Sequence, residues 1–165
     1  MTDRLAHRRK VLGATAMLAV AGVLTGASAE AATAGLVTRR SAHSFADTIA
    51  RFRAAVTRAG WVVFTEIDHK AAAAAVGMPL APRTVVLFGN PRTGTPAMRA
   101  HPTLAIDLPM RVLVWQDDNG AVFLTRDTGA YVARAVFARH GIELGPKPIA
   151  AMEGFFRRLQ AAATA

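Results

Sequence analysis

The sequence predicts a two-layer α+β domain, with helices packed on one face of a mixed or mostly antiparallel sheet of about five strands. Three observations carry that expectation. Two β-rich runs flank Asp118-Asn119-Gly120, and Asn-Gly is the pair preferred in tight hairpin turns. Capped segments with apolar residues every three or four positions read as helices lying on a sheet. Strands and helices also interleave without the regular strand-helix alternation of a doubly wound parallel fold.

The chain opens with a basic head (Arg4, Arg8, Arg9, Lys10), an apolar run from Val11 to Leu24, and small residues that offer cleavage at Ala27-Ser28-Ala29 or at Ala32-Thr33-Ala34. Those are the parts of a secretory signal peptide, and the apolar run falls short of the roughly 18 to 20 residues that cross a bilayer. The expectation is an exported periplasmic or extracellular domain with no stable membrane span once the leader is removed. The pair Arg8-Arg9 resembles a twin-arginine export signal, although His7 stands where Ser or Thr is usual; a general secretory leader is the alternative. Residues 1–31 are therefore read as leader, 32–142 as the α+β domain, and 143–165 as a linker with a C-terminal amphipathic helix.

Gly35 to Arg40 reads as a short strand. In the segment that follows, Ser44 caps a helix with Asp47 three residues on, Phe45, Ile49, Phe52 and Val56 form one stripe, and Gly60 ends it. Trp61 to Ile67 is β-branched and aromatic, as a strand requires. Asp68 then caps an alanine run that Gly77 and Pro79 stop. Arg83 to Gly89 is apolar on both faces in its middle, which marks a strand inside the sheet. The turn Gly89-Asn90-Pro91-Arg92-Thr93-Gly94-Thr95-Pro96 leaves its end, with a helix expected to begin at Thr95-Pro96. Met110 to Trp115 and Ala121 to Arg126 form the hairpin. Thr128 caps the next helix, which Gly141 closes, and Ile149, Met152, Phe156 and Leu159 line one side of the last.

Composition narrows the function classes. There is no cysteine, so no disulfide, thiolate ligand or thiolate nucleophile is available. The net charge of +9 comes largely from dispersed arginines, which reads as a solvated surface rather than a nucleic-acid face. A basic surface suited to acidic cell-envelope material is a further option. His43, His69, His101 and His140 lack the spacings that put two imidazoles on one helical face, so neither a metal nor another cofactor is expected.

The segments IDHKAAAAAVG, LFGNPRTGTPAM, AIDLPMRVLVWQD, VFLTRD and ARHGI, in that order and spacing, resemble the family called domain of unknown function 302, over about Leu36 to Ile142. The resemblance implies an α+β domain in members that are often exported or membrane-associated and that form dimers. It implies no reaction, substrate or cofactor. Arg92 stands where many members have Lys, and Thr125 where many have Tyr.

The glycine-rich turn has two readings. It is either the connector from strand to helix, or an anion cradle built from backbone N–H groups near residues 94 to 97 with Arg92 as a cation. The ligand-binding candidates are His69, Asn90, Arg92, Thr95 and Asp107. The expected role is non-catalytic binding of a small molecule or protein, with a homodimer as one assembly. The alternative is a small-molecule hydrolase or other acid/base enzyme using Asp68, His69 and Asp107.

Overall fold

The computed structural model describes residues 31–33 and 35–165, so nearly all of the expected leader lies outside the described residues. Six strands form one sheet: β1 (Ala31–Thr33), β2 (Leu36–Arg40), β3 (Val62–Asp68), β4 (Arg83–Gly89), β5 (Met110–Gln116) and β6 (Val122–Asp127). Their order is β1-β2-β6-β5-β4-β3, and every neighbouring pair is antiparallel. The helices are α1 (Phe45–Arg58), α2 (His69–Ala74), α3 (Pro91–Ala100), α4 (Gly129–Tyr131) and α5 (Pro146–Thr164). α4 runs on through a π-helical stretch (Val132–Phe137) into a 3₁₀ turn (Ala138–His140), and another 3₁₀ turn (Pro102–Ile106) follows α3.

Period-two burial explains the layers. In β6, Val122, Leu124 and Arg126 are buried while Phe123, Thr125 and Asp127 alternate outward. Register carries the same side across the sheet, pairing Val112 with Arg126 and Val114 with Leu124, and Val86 with Val112. Those side chains meet Phe52 and Val56 of α1 and Phe156, Leu159 and Ala163 of α5 in one core. The C-terminal helix is thus part of the core rather than an appendage. The opposite sheet face carries Val85, Leu87, Leu113, Trp115 and Phe123, all partly exposed, with Trp115 stacked on Phe123 at 4.6 Å.

Local chemistry sets most boundaries. The Ser44 hydroxyl accepts the Asp47 N–H at 3.1 Å, the Asp68 carboxylate accepts the Ala71 N–H at 3.0 Å, and the Thr128 hydroxyl accepts the Tyr131 N–H at 3.0 Å. In the hairpin, the Gly120 N–H closes on the Asp117 carbonyl and Gly120 adopts φ +82, a region open to glycine.

One boundary differs from expectation. Asn90, not Thr95, caps α3, so Gly94, Thr95 and Pro96 lie inside that helix. The junction of strand and helix is Gly89-Asn90, and the N–H of Gly94 is already bonded to the Asn90 carbonyl at 2.8 Å.

A register step between Val63 and Thr65 sets Phe64 out of the ladder with β4. Phe64 is left 53% exposed, beside Gly89.

Candidate functional site

The antiparallel order gives the sheet two distinct ends. The end of β4 lies beside the start of β3, because Val62 pairs with Gly89, and beside the start of β5, because Phe88 pairs with Met110. At this end the chain leaves the sheet for α3 and re-enters it through Leu108-Pro109, a cis peptide. These segments, with α5 and the helical segment after α4, line an open-mouthed cavity of about 610 Å³.

Its walls come from five parts of the chain. Trp61 and Phe64 stand on the β3 side, and Leu104, Leu108 and Met110 on the approach to β5. Phe137 closes it from the helical segment after α4, and Met152, Phe155 and Phe156 from α5. Trp61 packs on Phe155 with ring centroids 4.5 Å apart. The remaining wall is α3, with Asn90, Thr93, Gly94, Thr95, Ala97 and Met98. No lining residue is charged, and apart from the Trp61 indole N–H the polar side chains, Asn90, Thr93 and Thr95, belong to the α3 wall. Gly94 shapes that wall: a Cβ there would point toward Leu108 and Met98 at 3.8 and 4.0 Å, ordinary contact distances.

The helix start does not form an anion cradle. Pro91 has no N–H, the Asn90 side-chain oxygen accepts the Arg92 N–H at 3.0 Å, and the Asn90 carbonyl accepts those of Thr93 and Gly94. The donors that would face an anion are therefore occupied within the turn. Arg92 is exposed and is absent from the cavity wall.

The expected constellation divides. Asn90 and Thr95 share the cavity wall. His69 is exposed and follows Asp68, which pairs with Thr84 near the start of β4. Asn90 follows the other end of that strand, roughly 20 Å away at the rise of an extended chain. Asp107 precedes β5 at the Asn90 end, so Asp68 and His69 do not meet it; Asp68 serves as the α2 cap.

Asp107 instead has partners that the sequence reading missed. Its carboxylate accepts from Arg139 Nε at 2.7 Å, from a second Arg139 nitrogen, and from His140 Nε2 at 2.5 Å. The bonds from Arg139 and then from His140 outweigh partial burial and hold the Asp107 carboxyl below its usual range. The His140 ring, almost wholly buried, also bonds the Thr103 hydroxyl through Nδ1 at 2.9 Å. The ring thus bridges the Thr103 hydroxyl and the Asp107 carboxylate through its two nitrogens. The only local signal was a basic pair at a helix end, Arg139-His140; its acidic partner lies 32 residues earlier for Arg139.

The fold and cavity define a two-layer antiparallel α+β domain with an uncharged pocket at one end of its sheet. The chain belongs to the family described as Domain of unknown function DUF302, whose model matches residues 37–161 and so takes in most of α5. The crystal structure of an uncharacterized conserved DUF302 protein from Bacillus stearothermophilus shares the fold, with a TM-score of 0.65 over 79% of this chain and 99% of that one at 14% identity. Part of the chain is 41% identical over 102 residues to fluoride-specific ion channel FluC 1 of Brucella suis biovar 1 (strain 1330), covering 62% of this chain and 39% of the relative. The same identity and length hold for fluoride-specific ion channel FluC 1 of Brucella abortus biovar 1 (strain 9-941), of which 36% is covered. The chain thus spans less than two fifths of the length of these curated relatives. None of the described helices is long and apolar enough to cross a membrane.

Proposed function

We propose that this domain binds a small, uncharged, mainly apolar molecule in the cavity at the α3 end of the sheet. The observation that carries the reading is a 610 Å³ space walled by aromatic and aliphatic side chains with no charged group among them. Ligand pockets for small molecules fall at about 300–1,000 Å³ and combine apolar walls with a few polar groups. Water in such a space would forgo hydrogen bonds along most of the wall, so an apolar occupant is favoured. The leader read from the sequence supports an exported setting for this binding.

The test uses Trp61, which stands in the wall. In a Trp115→Phe background, the neutral dye phenylnaphthylamine is expected to change the remaining tryptophan emission and to gain fluorescence saturably. Gly94→Leu, which extends a side chain toward Leu108 and Met98, is expected to weaken that binding about tenfold or more while leaving the circular dichroism unchanged. Wild-type protein that takes up no dye, or a folded Gly94→Leu variant that binds it equally well, refutes the reading.

The hydroxyl, imidazole and carboxylate of Thr103, His140 and Asp107 favour a second reading, acid/base chemistry on an ester. It replaces the set of Asp68, His69 and Asp107, of which the fold holds the first two away from the third. Under it, hydrolysis of para-nitrophenyl butyrate exceeds the buffer rate and falls about a hundredfold in His140→Asn. Turnover no faster than buffer eliminates it. Because the same bonds tie the 3₁₀ turn to the end of the α4 segment, burial of His140 is explained without chemistry, and the pocket carries the proposal.

A further inference from the structure

We infer that the pocket selects a neutral molecule bearing a carbonyl group, and that the side-chain amide of Asn90 is the donor that recognises it. This rests on the pocket reading above and names the ligand chemistry of the same site. The Asn90 side-chain oxygen is committed to the Arg92 N–H at 3.0 Å, as the cap of a ten-residue helix. That bond decides which end of the amide is which, since a flipped amide would set two donors against each other.

The Asn90 NH₂ therefore keeps its hydrogens for another partner, and among the described residues no acceptor takes them. Asn90 is only partly buried and belongs to the cavity wall, which puts it beside a molecule seated there. Thr95 in the same wall likewise has a hydroxyl without a side-chain partner, whereas the Thr93 hydroxyl donates to the Asn90 carbonyl at 3.2 Å. The polar wall thus offers donors to a ligand acceptor.

Charge disfavours the competitors inside the cavity. A carboxylate in this cavity would be taken from water with no cation in the wall, because Arg92 stands outside it. An ammonium would find no carboxylate, since Asp107 is absent from the lining and already held by Arg139 and His140. A ketone, ester or quinone oxygen needs only a hydrogen-bond donor, and its apolar body fills the remaining walls.

Competition against bound phenylnaphthylamine tests this with methyl octyl ketone, decanoate and decylammonium. The ketone is expected to displace the dye at a concentration at least about tenfold below either ion. Asn90→Asp keeps an N-cap as good as asparagine and Asn90→Gly one only slightly poorer, and neither leaves a side-chain donor at that position. In each variant the ketone is expected to lose about tenfold more affinity than the dye does, the dye offering no carbonyl acceptor. Ketone affinity falling no further than dye affinity in both variants, or decanoate competing as well as the ketone, overturns the inference and leaves the pocket reading standing. A wild-type protein that binds no dye overturns both.

Discussion

At the scale of single residues, the ionisable groups show how far a carboxylate's neighbours decide its behaviour. Glu153 is pushed up by burial, but the bond from Arg126 Nη2 at 2.7 Å and that from the Gly129 N–H at 2.7 Å pull harder and leave its carboxyl below the usual range. Asp107 is lowered as well, by Arg139 first. A carboxyl depressed by folding adds stability above its unfolded pKa and loses it as pH falls through the folded value. Asp127 has the opposite sign: burial raises it against a weaker pull from Arg111, so its contribution is present at low pH and is lost as pH rises. The two lowered groups are expected to make Tm fall below about pH 4, and Glu153→Gln to flatten that fall, in melts between about pH 6 and about pH 3. Identical acid slopes for the two proteins would show that Glu153 carries none of it. Sequence supplied these residue types but not their pairings: Arg126 and Glu153 stand 27 positions apart, and Asp107 and His140 stand 33 apart.

At the scale of elements, helix caps were legible wherever one cap signature stood alone, as at Ser44, Asp68 and Thr128. The start of α3 was misjudged because two cap-proline signatures overlap, Asn90-Pro91 and Thr95-Pro96. Either is locally sound; closing the cavity wall selects the first, at the cost of one intrahelical bond missing at Pro96. A second feature invisible to periodicity is the close approach of α4 to α5. A Cβ at Gly129 would lie 2.8 Å from the Glu153 nitrogen and 3.0 Å from the Ile149 carbonyl oxygen, both backbone atoms with little room to yield. Gly129→Ala is therefore expected to destabilise the protein by about 1–3 kcal/mol. Urea denaturation measures it, and an unchanged midpoint would mean that the helices part without cost.

At the scale of the whole molecule, the Asn119-Gly120 hairpin and the amphipathic helices made a two-layer α+β architecture with a mixed or mostly antiparallel sheet legible in the sequence, and the described sheet is antiparallel throughout. Strand order was not, since β2 pairs with β6 across most of the chain, Leu36 against Asp127. The cavity was legible only in fragments for the same reason. Asn90 and Thr95 drew notice as parts of one turn, whereas Trp61, Phe137 and Phe155 lie on separate elements and converge only through the fold. His69 directly follows β3, a position that implies nothing about which end of the sheet holds a cavity.

β3 forms the outer margin of the sheet, and its ladder is interrupted at Phe64. A bulge bends and twists an edge strand, and an irregular edge is a poorer template for another ribbon than a flat one. The same irregularity that turns Phe64 out beside the cavity thus makes this flank the less regular one for edge-to-edge pairing.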